Sequence, residues 1–564
     1  MSEAREFKYI GQSTIRPDGF DKVTGRANYG ADLSLPGMIW GKILRSPHAH
    51  AMIKRLDTSR AEAFPGVLAV ATHSDFPSVT DQAIESGEGS LTLLDLARNV
   101  LAKDKVLYHG HAVVAIAAKT SAIAEQALAL IDIEYEVLKP VMDVREAMAA
   151  GAPILHPDMF TQGLAEKPTT ASNVATRLEY KMGDIEAGFK DAEVVVEREF
   201  YTPTAHQGYI EPHACTVRYE KDGQSMIWCS TQGHFDVRAS TAKLLGLDLG
   251  KLKVIASEIG GGFGGKTTVY LEPVALILSR KSGRPVKMIM DRDEVFKATG
   301  PGSATRSWVK IGARKDGTIT AMQGRLAYEA GAFKGSPVMM GCMTAFTPYA
   351  VSNMYIEGFD VVVNKAKVAA YRAPGAPQAE FAVEMLVNEL AVKLGRDPID
   401  LRLQNAAKEG TQTIYGPKFK RVGLVECLEA ARDSKHYQQA LAANQGRGVA
   451  AGFWFNVGGQ SSVHINMNPD GTGTIVEGSP DIGGSRASMQ MMAAEAMGIE
   501  PGRLKPIIGD TENVAFSAGT GGSRTTFATG MAVIEAAEDV VAQMKQRAAS
   551  MWNVTAEQVE WVDG

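Results

Sequence analysis

The sequence predicts an α+β protein, with a small N-terminal α/β unit followed by a large mixed unit in two parts. Period-two alternation stands beside an alanine-rich helical stretch within the first 145 residues, glycine-rich loops separate strand and helix signals at four places, and two Gly/Pro-containing stretches punctuate the chain. At 564 residues the chain is too long for one ordinary core, and its 45% hydrophobic, 22% charged composition is that of a globular protein. A formal net charge of -5 disfavours phosphate backbones and anionic lipid headgroups, so neither nucleic acid nor a membrane is an expected partner. The polar start "MSEAREFKYI" and the lack of an apolar run long enough to span a bilayer make the cytoplasm the expected location.

The first unit is placed at residues 17–145. Its "LIDIEYEV" sets Ile131, Ile133, Tyr135 and Val137 on one face of a strand and Asp132, Glu134 and Glu136 on the other, directly after the helical "SAIAEQALAL". "MAAGAPILHPD" (148–158) is the expected linker. A second unit is placed at 165–410 and a third at 420–564, divided near "AAKEGTQTIYGPKF". Cys215, Cys229, Cys342 and Cys427 show no C-x-x-C spacing, so this chain alone is expected to build neither a zinc site nor an iron-sulfur cluster.

The chemistry gathers in the glycine loops. "IGGGFGGK" (259–266) follows the strand signal of Leu252, Val254 and Ile255 and precedes a helix carrying Leu271, Val274, Ala275 and Leu278. Pro273 must lie in the first turn, so that helix starts no earlier than about Val269. Bare N–H groups at such a bend form either an anion site or a tight turn with no ligand. Gly260, Gly262 and Gly265 also satisfy G-x-G-x-x-G, which opens a nicotinamide-dependent dehydrogenase as an alternative, although the nearest acids, Asp291 and Asp293, come late for a ribose contact. "AYRAPGAPQ" (370–378) precedes a helix with Pro377 near its start, an apolar stripe from Ala379 through Leu394, and Gly395 at its end. "PDIGGSR" (480–486) offers Ser485 as N-cap, and "AGTGGSRTT" (518–526) opens a long helix whose Val533, Ala537, Val540, Val541 and Met544 share a face. Four such loops could aim many backbone donors at one large anionic ligand. Met489 and Met492 are expected as core filler, and Met339, Met340, Phe453 and Trp454 as either an apolar pocket wall or core.

The order "TQGHFDVR", "GGGFGGK", "AYRAPGAPQ", "PDIGGSRASM" and "GTGGSRTT" resembles the molybdopterin-binding subunit of the xanthine dehydrogenase and aldehyde oxidase family. "DKVTGRANYGADL", "RSPHAHA" and "PGVLAV" are similar to that family's α/β hammerhead domain. The resemblance implies a hammerhead domain followed by a two-part molybdenum cofactor-binding domain, truncated or split at the C-terminus. It implies a molybdenum-dependent oxidoreductase that oxidises an aldehyde or N-heterocycle with water as oxygen source. The implied cofactor is molybdenum-molybdopterin in the cytosine dinucleotide form, with 2Fe-2S clusters and FAD on partner subunits. By position, Gln232 matches a glutamine beside a metal oxo group. Gly261, Gly262, Phe263 and Gly264 match the loop next to the metal, and Arg372 matches the arginine of an A-[FY]-R loop. Ile482, Gly483 and Gly484 align with an M-G-Q-G-type loop in which Gly484 replaces the glutamine, leaving a backbone contact there. Gly521, Gly522, Ser523 and Arg524 align with the segment that receives the cofactor's phosphates, where a guanidinium suits bidentate contact.

Departures narrow what the resemblance implies. Thr267 stands where purine-oxidising members carry a glutamate, which disfavours xanthine, and Ala373 stands where copper-containing carbon monoxide dehydrogenases carry a cysteine, which disfavours a molybdenum-copper centre. The family's base glutamate belongs to a Gly-Glu motif in a later portion, whereas the Gly-Glu of this sequence, Gly87 and Glu88, falls in the N-terminal unit. A separate partner chain supplying that portion, a fragmentary sequence and a decayed gene each fit. A noncatalytic cofactor-binding scaffold is the corresponding alternative to an enzyme.

Overall fold

A computed structural model describes residues 6–86 and 89–564. Gly87 and Glu88 lie outside the described residues. A seven-stranded mixed sheet runs in the order Leu252–Ala256, Ser225–Cys229, Ala214–Arg218, Val286–Ile289, Ile39–Arg45, Ala112–Ala118 and Val67–Ala71. The join between its halves is the parallel pairing of Ile39 with Val286 and Gly41 with Met288. Ala112–Ala118 is buried along its whole length, as its unbroken apolar run demands for a strand covered on both faces. Helix Glu272–Ser282 packs on this sheet, with residues 272 to 279 all buried.

In the N-terminal region Ala51–Asp57 lies between Lys105–Val106 and Asp132–Val137. Ile133 and Tyr135 pack inward as the alternation predicts, while Val137, at the strand's end, is 62% exposed. A five-stranded sheet follows, ordered Val194–Thr202, Thr305–Ala313, Ile319–Gly331, Met354–Val362 and Val174–Met182, with helix Ala376–Leu394 across its inner face. The last region is a three-stranded sheet, Val463–Met467, Gly473–Glu477 and Leu504–Ile508, packed under helices Ser485–Met497 and Gly530–Trp552. Met489 sits in that core and Met492 packs against it. Val533, Ala537, Val540 and Val541 face the same core, and Met544, further along the same helix, is half exposed.

The N-terminal segment ties this last region to the rest. The backbone N–H groups of Lys8, Tyr9 and Ile10 donate to the Glu495 carboxylate at 3.1, 2.7 and 3.3 Å, and the Tyr9 ring is buried among Ile475, Met489 and Ala493. Among the described residues, no helix is long and apolar enough to cross a membrane.

Candidate active site

The four glycine loops, far apart in sequence, meet around one cavity of about 530 Å³. Its walls come from Gln232, from Phe263 and Gly264, from Ala370 and residues 372 to 374, from Trp454 and Ile482, and from residues 520 to 526. Of the residues singled out by sequence, Gln232, Phe263, Gly264, Arg372, Ile482, Gly521, Gly522, Ser523 and Arg524 are on the wall. Gly261, Gly262, Gly483 and Gly484 are not. Gly262 serves close packing instead, because a Cβ there would lie 2.5 Å from Gln232 Oε1.

Backbone strain is concentrated here. Among the described residues, seven non-glycines have positive φ, and four of them line the cavity: Phe263 (53°), Arg372 (29°), Ala373 (62°) and Ser523 (58°). Each such residue costs on the order of 1–3 kcal/mol and persists only where its surroundings impose it. The imposing contacts are visible. Arg372 N–H donates to Phe263 O at 2.9 Å, and Gln207 Nε2 holds Ala370 O at 2.7 Å. Buried Gln232 accepts from Gly264 N and Lys266 N at its Oε1 and donates from Nε2 to Thr520 O at 2.7 Å, so one side chain joins the first glycine loop to the last. A π-helical turn, Thr525–Thr529, precedes helix Gly530–Trp552 and presents Thr525 and Thr526 to the cavity.

Several expectations are corrected by the geometry. All five N–H donors of Arg524 are engaged within the chain, by Gly458 O, Ala518 O, Gln460 O, Ser461 Oγ and Ser479 Oγ, so this guanidinium braces the wall and leaves nothing for a bidentate phosphate contact. The N-cap of helix Ser485–Met497 is Gly484 rather than Ser485, and Asp481 Oδ1 accepts from Gly484 N at 2.9 Å and Ser485 N at 2.6 Å, which also takes the Gly484 amide away from the cavity. Gly260 N is committed to Glu211 Oε2 at 2.7 Å, and Asp291 caps helix Arg292–Ala298 in a capping box with Glu294, so neither serves a dinucleotide. Of the suggested apolar wall only Trp454 faces the cavity; Phe453 packs between Phe419 and Phe455, and Met339 is half exposed.

Two supports behind the wall were not visible in the sequence. Glu211 forms an ion pair with fully buried Lys266 at 2.7 Å while also accepting from Gly30 N and Gly260 N. Around Asp481, the acids Asp18 and Glu258 and the bases Arg16, Lys22 and Arg486 form a half-buried ionic network joining the N-terminal segment, the first glycine loop's strand and the third loop. Burial opposes ionisation of Asp481, yet the Arg486 guanidinium at 2.8 Å outweighs it and holds this carboxyl below its usual range.

Glu477, behind Arg524 and fully buried, behaves oppositely: burial pushes its carboxyl up to about 8, and among the described residues Ser479 N is its one donor and Oε1 has no partner. A carboxyl that holds its proton more tightly folded than unfolded contributes stability that is complete below its ordinary value of 4.5 and fades as pH rises toward 8. Denaturant unfolding between pH 5 and 8.5 is expected to show this decline, at most about 1.4 kcal/mol per pH unit. The Glu477→Gln variant should flatten it; an unchanged slope would mean Glu477 is ionised in the fold.

Set against known proteins, residues 24–139 match the aldehyde oxidase and xanthine dehydrogenase a/b hammerhead domain, and residues 166–406 and 426–564 match molybdopterin cofactor-binding domains. The chain is 31% identical over 563 residues to a probable xanthine dehydrogenase subunit of Bacillus subtilis, covering 97% of this chain and 72% of that protein. It is 32% identical over 434 residues to the nicotinate dehydrogenase large molybdopterin subunit of Eubacterium barkeri, covering 76% of this chain and 97% of that subunit. The structure of quinoline 2-oxidoreductase from Pseudomonas putida 86 superposes with a TM-score of 0.87 at 25% identity, over all of this chain and 74% of the other. A hammerhead unit followed by a two-part, glycine-walled cofactor domain defines a molybdopterin-binding oxidoreductase subunit. The chain belongs to the molybdopterin-binding large subunits of the xanthine dehydrogenase family.

Proposed function

We propose that this chain binds molybdenum-molybdopterin, in the cytosine dinucleotide form, within a cytoplasmic molybdenum hydroxylase that oxidises an aldehyde or an N-heterocycle. The observation that carries the proposal is the convergence of four glycine loops and four strained non-glycine residues on one cavity. The residues fit such a group. The amides of Gly521, Gly522 and Ser523 make no hydrogen bond among the described residues, which leaves three donors beside a helix start for phosphate. Among the described residues, no aspartate or glutamate lines the cavity to repel it. When bound, the cofactor supplies two-electron redox chemistry and Lewis-acid activation of water as the oxygen source.

The chain's own residues hold and shield. Gln232 fixes two loops and retains one N–H of its amide for the bound group. Phe263 and Trp454 exclude water from the cavity and offer ring faces to substrate. Among the described residues the lining holds no carboxylate or histidine, and in this reading the base that moves a proton at the reacting carbon lies outside these walls. Electrons leave to 2Fe-2S and FAD partner subunits.

The test is to purify the chain with the products of neighbouring genes, measure molybdenum and pterin, and assay turnover with an artificial electron acceptor. Molybdenum near one per chain with turnover is expected. Absence of molybdenum overturns the proposal, and metal without turnover moves the conclusion to a noncatalytic scaffold. NAD is expected to leave the melting temperature unchanged.

A further inference from the structure

We propose that His206 is a positioning residue of the cavity, holding its 370–374 wall through Gln207 only while the His206 ring is uncharged. The proposal goes beyond the functional reading and does not depend on what the cavity binds. Its ground is a set of hydrogen bonds whose directions are fixed by their partners. Gln207 is buried between two carbonyl groups and donates from Nε2 to Ala370 O at 2.7 Å and to Gly300 O at 3.0 Å, so both protons of its amide are engaged. Ala370 lines the cavity and stands two residues before left-handed Arg372. Gln207 thereby clamps the 370–374 wall to the segment that begins at Thr299. His206 Nδ1 lies 3.1 Å from Gly208 N, and a backbone N–H can only donate, so Nδ1 is the bare nitrogen and Nε2 carries the ring proton. Nε2 donates to Thr299 Oγ1 at 2.9 Å, and Thr299 donates its own hydroxyl proton to Val295 O at 2.7 Å. One neutral imidazole therefore ties down the residue after Gln207 and the residue before Gly300, the two segments that the Gln207 amide helps to join.

A second ring proton would sit on Nδ1 and face the Gly208 N–H, turning attraction into repulsion at a turn where Gly208 is left-handed, with φ of 64°. The surroundings keep that proton off at neutral pH. Burial lowers the proton affinity of His206 most, the Arg292 guanidinium lowers it further, and the Val295 carbonyl raises it by less. The Phe296 and Tyr209 rings pack on the imidazole at 5.0 and 5.3 Å. Of the other charged groups on the surrounding elements, Asp293 and Glu294 are engaged by Lys297 and Arg45, and Glu211 by Lys266. His213, reached through the Tyr209 hydroxyl, is itself held far below its usual value by burial. None of these is left to pair with an imidazolium. Because the fold lowers His206 from its ordinary 6.5, the stability of this clamp is fully present above 6.5 and is lost as pH falls through the lower value of the folded state.

Amide hydrogen exchange on the purified complex, compared at about pH 7.5 and about pH 5 after correction for intrinsic rates, reads the wall directly. The reporters are the amides of Ala369 and Arg372, bonded to Pro301 O and Phe263 O on either side of Ala370. In the wild type their protection is expected to fall on acidification by about tenfold more than that of the buried helix Glu272–Ser282. His206→Asn keeps an uncharged acceptor close to the place of Nδ1, and its wall should show no such acid loss. Gln207→Leu should leave both amides poorly protected at either pH. Wild-type amides that follow the helix at both pH values overturn the proposal. So does an acid loss in His206→Asn as large as that of the wild type, or a wall unchanged by Gln207→Leu. Molybdenum and pterin, measured on the same samples, test the functional proposal separately: their absence overturns that proposal and leaves the exchange result to decide this one.

Discussion

Replacing Lys266 with methionine is expected to destabilise the protein by about 3–5 kcal/mol and to release the first glycine loop. The ammonium lies entirely out of solvent, 2.7 Å from Glu211 Oε2, with the Tyr209 ring beneath it at 5.1 Å. Burial lowers its proton affinity and Glu211 opposes that, so the pair is stable only as a pair. Methionine fills the space but leaves the Glu211 carboxylate with the amides of Gly30 and Gly260 as its remaining partners. Urea unfolding measures the loss. The double variant Lys266→Met with Glu211→Gln removes the uncompensated charge and should recover part of it, whereas a double variant no more stable than the single one would show that packing, not charge, is lost.

Gly264→Ala should be nearly as damaging and more specific to the cavity. Gly264 adopts φ of +104°, and a Cβ there would lie 2.4 Å from Ala370 O, against backbone that cannot rotate away. The added methyl must push the loop carrying Arg372, and the backbone strain and crowding together amount to about 2–5 kcal/mol. Pterin content should fall further than stability alone predicts. Full retention of pterin would show that the 370–374 loop is not part of the cradle.

The helices that follow the glycine loops were legible because their punctuation is local. Pro273 forbids an earlier start, and the helix begins at Glu272; Pro377 and Gly395 bracket Ala376–Leu394 at its two ends. What escaped is set at long range. Nothing near Ile39 announces that it will pair with Val286, so the N-terminal strands could not be assigned to a sheet shared with the next region. Left-handed φ at Phe263 and Arg372 has no local signature, since neither residue favours that region and the supporting contacts come from Gln232, Gln207 and Glu211. The duties of two charged groups were decided the same way. Arg524 and Asp481 both sit in glycine loops, where sequence suggests ligand contact, and both turn inward to satisfy backbone groups that would otherwise be buried without partners.

The grip of Glu495 on the amides of Lys8, Tyr9 and Ile10 sets a clock. A ribosome adding roughly 5–20 residues per second needs on the order of 25–100 s to pass from the first of these partners to the last. Until residue 495 is added the leading end has no Glu495 to bind, and even then the fourth glycine loop, residues 518–526, has not been made. The cavity, walled by all four loops, therefore takes shape only after the fourth of them has been made.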